Sequence, residues 1–545
     1  MSGRVQNAVT KQQLLSTLQG EGAGVVGVNR DDIIAPQTSL GAWIHVRREQ
    51  FNVMDAVPLS QREAITQGVS TYDTLPHFME AISYFGAAGA AAQGLVVVPR
   101  GKFMVSGRIP LRFETSIKGL AGRGSRIQAA GDFSLLGWDV AIPSFSRQVS
   151  ITDLWLMGAG YGMQGATLIT MAQAYTASAA GTNMAGIAAA FPGVVPFANS
   201  NAIDIDHPWG IDSLTLKRLW IEECPAIGIK TNQPASGATK NCIQFSDWDS
   251  LYIRNCNIGM SLGYGFTGES SFSNICSQFA LLSNLDFTIN PALTGPQGIN
   301  FVNFVTGWSP NGVRMLGGTA GNIKFDMLHS EHHTTAAILM ASPSINKLVL
   351  ESPWFAANVA GISGSAGGAV AINNGTWQGA GNLTDTFIKL SAASNFTVSL
   401  NGQHTVLPPS TGSAPTDHIS VPDISIVRGA VQRKSAVAGS ISSNVGQSLF
   451  VQTRGITSET GTVLASNLSG SATIGNATSS VAVLFTRAEA DTNYKINATV
   501  DWGVATGATW TPTVSIGLKT TAGFTAYFGT VAPAGGAILD WVLTR

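Results

Sequence analysis

Charge is scarce in this sequence, and what there is cancels. Lys and Arg total 31, Asp and Glu 32, and the formal net charge is -1 at 12% charged residues. A nucleic-acid binder needs a basic excess or stripe to meet the phosphate backbone, so nucleic acid is not expected as a partner. Cysteine is nearly absent. Cys224, Cys242, Cys256 and Cys276 form no CxxC pair, which points to free, mostly buried thiols in a chain folded in a reducing cytosol. Long apolar runs are missing too. The opening MSGRVQNAVTKQQLLSTLQG lacks the uninterrupted apolar stretch of a signal peptide, and no segment reaches membrane-spanning length, so membrane insertion is not expected.

What the chain has instead is Gly (61 of 545 residues), with abundant Ser, Thr, Asn and Ala. That mixture suits many short strands and tight turns better than long helices. One pattern recurs: VSITDLWL (149–156), LTLKRLWI (214–221), LYIRNCNI (251–258), INFVNFVT (299–306), IKFDMLHS (323–330) and LVLESPWF (348–355). Counting the first residue as zero, positions 0, 2, 5 and 7 are mostly apolar. The change of spacing from two to three marks a bend between two short strands that each keep an apolar side inward. Starts at 299, 323 and 348 fall about 24–25 residues apart, the repeat length of a parallel β-solenoid, in which stacking encloses a core that no single coil could bury.

Ahead of the repeat, TYDTLPHFMEAISYFGAAGA (71–90) has an acidic start and apolar residues at roughly helical spacing. GLVVVP (94–99) reads as a buried strand and KFMVSGRIPL (102–111) alternates before a turn. In SIKGLAGRGSRIQAAG (116–131) the glycines read as turns between strands. A phosphate-binding loop would need a P-loop Lys-Ser/Thr pair or GxGxxG spacing, and GLAGRG has neither.

The succession FNVMDAVP, TYDTLPHFMEAI, GLVVVPRGKFMVSGRIPL and SIKGLAGRGSRIQA resembles the opening of the pectate-lyase-like right-handed β-helix superfamily, and more narrowly the form used by bacteriophage tailspikes. It departs from the commonest pattern, since MDAVP replaces a Gly-rich turn and REAITQGVS (62–70) looks inserted. NYKINATVDWG (493–503), TPTVSIGLKTTAGFTAYF (511–528) and AGGAILDWVLTR (534–545) resemble the carboxy-terminal β-domain of phage tail fibres and tailspikes. The two resemblances cover roughly residues 50–400 and 485–545.

Four regions follow: a polar attachment or oligomerisation segment (1–35), a cap with the first part of the β-helix (36–148), the main parallel β-helix (149–410), and a C-terminal β-rich region (411–545) beginning in the linker-like PPSTGSAPTDH (408–418). The resemblance implies an all-β, right-handed parallel β-helix and a homotrimer locked by its C-terminal domain. It also implies a phage-tail virion protein made in the host cytoplasm, joined through its N-terminus to a tail or adaptor protein and directed at bacterial surface polysaccharide.

Outward position 3 of the repeat gives Thr152, Lys217, Arg254, Val302, Asp326 and Glu351; position 6 gives Trp155, Trp220, Asn257, Val305, His329 and Trp354. Neighbouring coils lie about 4.8 Å apart, so Asp326 and Glu351 are expected side by side. A glycosidase needs two such carboxyls, one to protonate the leaving oxygen and one to activate water or attack. The expected roles are Asp326 as base and Glu351 as acid, with Glu331 in reserve. Outward tryptophans suit stacking on sugar rings, and equally suit packing under loops or at a subunit seam.

Other clusters compete. AIDIDHPWG (202–210) offers Asp204, Asp206 and Trp209, and FSDWDS (245–250) offers Asp247, Trp248 and Asp249. They would carry the reaction or line a groove. A lyase would use Lys217 or Arg254 to neutralise a uronate, with Tyr252 or His329 as base or acid. A noncatalytic receptor-binding spike is the third reading. DMLHSEHH (326–333) allows a face of His329, Glu331 and His333 fit for zinc, but enzymes of the resembled type do not usually require metal, and neither metal nor cofactor is expected.

Overall fold

The chain in this computed structural model winds into a parallel β-solenoid followed by a small antiparallel β-domain. Described are residues 50–85, 94–112, 114–138, 146–206, 210–231, 242–263, 265–266, 270–288, 298–316, 322–341, 345–364, 368–378, 386–390, 396–401, 405–407, 417–420, 426–429, 432–433, 440–441, 469–485, 492–501, 512–532 and 537–544. The segment 1–35 lies outside them. By contacts the chain divides into two compact units, Met1–Val305 and Thr306–Arg545.

In the first unit, the rungs begin earlier than residue 149. Gln50–Asn52 pairs with Gly94–Val98, which pairs in turn with Thr115–Gly119. The helix expected over 71–90 runs Leu75–Phe85, and Asp73 starts it by accepting from Leu75 N at 3.0 Å and tying down Ser106. The inserted-looking REAITQGVS forms part of a second helix, Leu59–Gln67, stopped by Gly68 at φ 79°. Inside, side chains stack in files: Ile117, Ile151, Leu216, Trp248 and Phe272 occupy successive registered rungs, and each is essentially inaccessible. Between Trp155–Met157 and Ile203–Ile205 the chain makes an excursion of three short antiparallel strands and two helices, Met171–Ala177 and Ala185–Ala190. The first of these helices opens on a capping box of Thr170 and Gln173.

The bend in the repeat is a single residue in the left-handed region. Asp153, Arg218, Ser250, Asn274 and Asn303 hold it in the first unit, and Met327, Ser352 and Asn374 in the second, with φ between 47° and 62°. For residues other than glycine this conformation costs about 1–2 kcal/mol, so each corner depends on its stacked neighbours. Arg218 grips Asp153 on the rung below through Nε at 2.5 Å and Nη2 at 2.8 Å, and Asn303 donates to Asn274 at 2.9 Å.

A second left-handed residue follows five positions later, at Glu223, Asn255, Phe279, His332 and Ala357. Burial therefore repeats every five residues as well as every coil. That corrects the alignment of LYIRNCNI. Leu219 pairs with Leu251 and Trp220 with Tyr252, so 246–253 is the true counterpart of 214–221, and the match to 251–258 sat one bend too far along. Tyr252 consequently joins the tryptophan file, and Arg254 leaves the file of Lys217, where Asp249 stands instead.

In the second unit Asn322–Met340 pairs with Ile345–Glu351 and Trp354–Ala356, over inward Ile323, Phe325, Leu328, Leu348, Leu350 and Phe355. Parallel pairing continues past residue 410, through Asp417–Ser420 and Ile426–Gly429 to Ser440–Ile441. The described residues between 469 and 544 include two three-stranded antiparallel sheets around Tyr494, Phe524, Leu539 and Trp541. Among the described residues no helix is long and apolar enough to cross a membrane.

Candidate functional site

The second unit places Asp326 directly opposite Glu351 on adjacent rungs. Both are partly exposed, since alternation along the strand turns Phe325 and Leu350 into the core and their neighbours out. Lys324 Nζ lies 3.9 Å from Asp326, and Asn373 on the following rung donates to Glu351 Oε1 at 2.8 Å. Three residues along, past the left-handed corner, His329 faces Trp354 with rings stacked at 5.1 Å and 13°. Trp354 is 44% exposed, and the next residue in its file is the small Thr376, so one indole face stays open. Glu331 follows on the same side as His329, with Oε2 3.3 Å from Nε2. Two acids thus stand opposite each other before the corner, and an aromatic platform with a reserve acid follows directly after it.

His333 departs from expectation. It points inward at 1% exposure, its Nδ1 3.1 Å from Ser309 and its Nε2 3.1 Å from Thr306 Oγ1. The left-handed corner at His332 reverses which side faces out, so His329, Glu331 and His333 do not share a metal-binding face. Burial drives the His333 pKa down to about 3, which keeps it neutral.

In the first unit, register stacks Lys102, Arg126, Trp155, Trp220 and Tyr252 on consecutive rungs. Of the two uses open to Trp155 and Trp220, the arrangement of the neighbouring side chains favours packing. The Arg123 guanidinium lies 3.6 Å from the centre of the Trp220 ring and 5.3 Å from that of Trp155, with Arg126 4.9 Å from Trp155. Tyr252 packs against Trp220 with ring centres 3.9 Å apart and planes tilted by 31°. Sequence reasoning missed Arg123, Arg126 and Glu222. Glu222, nearly buried, accepts from Trp220 Nε1 and from Arg254 Nε at 2.5 Å. Placing Arg254 one bend out of register concealed that pair. Glu223 points instead to the excursion helix, accepting from Met171 N at 2.5 Å, and burial pushes its carboxyl up.

The FSDWDS cluster comes apart. Trp248 is fully buried, the inward neighbour of two outward aspartates, and so cannot meet a ligand. Asp247 is paired with Lys217. Burial pushes the Asp249 carboxyl up, but hydrogen bonds from Ser273, Asn274 and Ser250 outweigh it and hold the group below its usual range. Such an aspartate does not serve as a proton donor.

Asp204 and Asp206 also separate. Asp206 is held by Arg108 at 2.9 and 3.1 Å, and a Cβ at Gly137 would collide with that guanidinium. Asp204 sits 8% exposed beside Ser134, Asn201 and Lys230, its carboxyl raised chiefly by burial. These residues and Arg108 line a cleft of about 410 Å³ with Asp132 and Phe133. Trp209 lies outside the described residues. Cys224 and Cys256 are buried and registered as neighbours, and neither they nor Cys276 form a disulfide.

No family model and no curated protein matches this chain. Solved structures similar to it include a tailspike protein of E. coli bacteriophage HK620 (12% identity, TM-score 0.48, 92% of this chain and 95% of that one). Two others are the Dettilon tailspike protein (10%, 0.44, 96% and 99%) and the A-module of a mannuronan C-5 epimerase from Azotobacter vinelandii (13%, 0.45, 74% and 99%).

Proposed function

We propose that the protein is a tailspike-type glycoside hydrolase that binds bacterial surface polysaccharide and cleaves it on the face of the second unit. The observation that carries this reading is the registered pair of Asp326 and Glu351 beside the half-open Trp354. The two carboxyls supply an acid and a base or nucleophile, while the indole seats a sugar ring. Adjacent strands are about 4.8 Å apart, close to the roughly 5–5.5 Å of retaining enzymes and short of the roughly 6.5–9.5 Å that leaves room for water in inverting ones. Strand spacing of that size is compatible with retention, and the anomeric configuration of the products decides between the two. The lyase alternative has less support. Lys217 is paired with Asp247 and Arg254 with Glu222, and the Tyr252 ring packs against Trp220. We extend the reading to a homotrimeric virion protein attached to a phage tail through its N-terminus. Exposed Leu484, Leu518, Ile538 and Val542 on the C-terminal domain suit contact between copies.

Incubation with purified capsular polysaccharides and O-antigens tests this. New reducing ends of retained anomeric configuration support it. An unsaturated uronate product, seen by ultraviolet absorbance, would replace hydrolysis with elimination. A polymer that is bound but never cut would leave a receptor-binding spike.

A further inference from the structure

We propose that the guanidinium-covered aromatic ladder of the first unit binds carboxylate groups carried by an acidic polysaccharide. This deepens the polysaccharide reading by naming the charge of the polymer, and it rests on that reading.

Among the described residues the ladder gathers more cations than acids. Lys102 and Arg126 are registered neighbours, and Arg123 reaches over the next two rungs. Arg254 stands one residue pair along from Tyr252. Four cations thus face one carboxylate, Glu222, already engaged by Arg254 and by Trp220 Nε1. Burial bears on both registered cations, and like charge adds to it at Lys102. Burial and then the Arg126 charge pull the Lys102 pKa down, and burial pulls Arg126 down against the opposing attraction of Glu222. Like charges on adjacent rungs are unfavourable, and an anion between them relieves that.

Arg123 is the most telling member. It leaves the single helical turn Gly122–Gly124, where Gly122 has φ 52°, and its guanidinium carbon lies 3.6 Å from the centre of the Trp220 ring. Among the described residues none of its N–H groups has a protein acceptor. A guanidinium held over a ring, with no protein acceptor among the described residues, is placed for bidentate capture of a planar carboxylate. The same stacking keeps a sugar off the Trp220 face, so the ladder recognises charge where Trp354 recognises a ring. From Lys102 to Tyr252 there are four inter-strand steps, roughly 19 Å, enough for several consecutive residues of a polymer.

The test uses the full-length protein and a panel of purified acidic capsular polysaccharides, each beside its carboxyl-reduced, neutral form, with dextran sulfate as a competitor. Binding is read by calorimetry and surface plasmon resonance. The expected result is that an acidic polymer binds at least about tenfold tighter than its reduced form. Arg123→Gln and Arg126→Gln should each erase most of that difference while leaving the melting temperature within a few degrees. Arg123→Lys, which keeps the charge and loses the planar fork, should restore only part of it. Equal binding of both polymer forms, wild-type affinity in both Gln variants, or equal competition by dextran sulfate would overturn the proposal. Cleavage of a neutral polymer without dependence on these arginines leaves hydrolysis standing and removes the ladder. Arginine-dependent binding without cleavage does the reverse.

Discussion

The outward faces of the two units are built on the same rung and bend, yet they carry opposite chemistry. In the first unit position 6 holds Trp155, Trp220 and Tyr252, and arginines from neighbouring turns lie over the rings. In the second unit the same position holds His329 and Trp354, followed by a small threonine, and the indole stays half open. Position 3 differs likewise. Lys217 and Asp249 belong to local networks of opposite charge and hydroxyl donors, whereas Asp326 and Glu351 stand opposite each other, partly exposed, with Lys324 near the first and Asn373 donating to the second. An outward aromatic residue in a solenoid is therefore not by itself a sugar platform. What covers its face decides its use.

The contrast breaks first at the acids. Asp326→Asn and Glu351→Gln should each cut polymer cleavage by about 10²–10⁴-fold, read as reducing ends released, while Asp249→Asn should lose far less. If Asp249→Asn is the inactive variant, the chemistry belongs to the first unit.

The tryptophans give the next test. Trp248→Ala empties a fully buried site and should cost about 3–5 kcal/mol of stability, seen in urea or thermal unfolding. Trp354→Ala, at the surface, should leave the melting curve nearly unchanged and weaken oligosaccharide binding about tenfold. Reversal of those two results would exchange core and platform.

A smaller effect tracks His333. The unfolded imidazole takes up a proton below its ordinary value of about 6.5, but the folded one resists to about 3. Between these limits the unfolded state holds more protons, so stability falls as pH drops, by about 1.4 kcal/mol per pH unit once the gap is open. His333→Gln should flatten the slope of unfolding free energy between pH 6 and 4. The smallest effect belongs to the corner at Arg218. Arg218→Asn relieves a left-handed conformation and loses an exposed ion pair, which leaves stability within about 1 kcal/mol.

The solenoid was legible because burial obeys a short-range rule. Val149, Ile151, Leu154 and Leu156 are all inside, as alternation and one bend require. The pairing of Asp326 with Glu351 followed from a coil of regular length. Arg254 was misplaced because a five-residue burial period lets two alignments satisfy the same apolar pattern, and only backbone pairing chooses between them. Arg123 was unreadable for another reason. Its partners, Trp155 and Trp220, lie 32 and 97 positions away in sequence, and nothing local in GLAGRG signals that the side chain folds back over rings.

The twin left-handed corners also bear on how the chain finds its fold. A coil displaced by five residues still buries aliphatic side chains, so hydrophobic collapse alone gives wrong rungs almost the same reward as right ones. Discrimination then falls to the few polar groups inside. Thr306, Ser330, His333, Ser309 and Asn358 form a linked set of buried hydrogen bonds, which a five-residue slip would leave unsatisfied at the cost of several desolvated donors and acceptors. This buried network marks the correct winding, holding a repetitive chain to one phase while it is still being assembled.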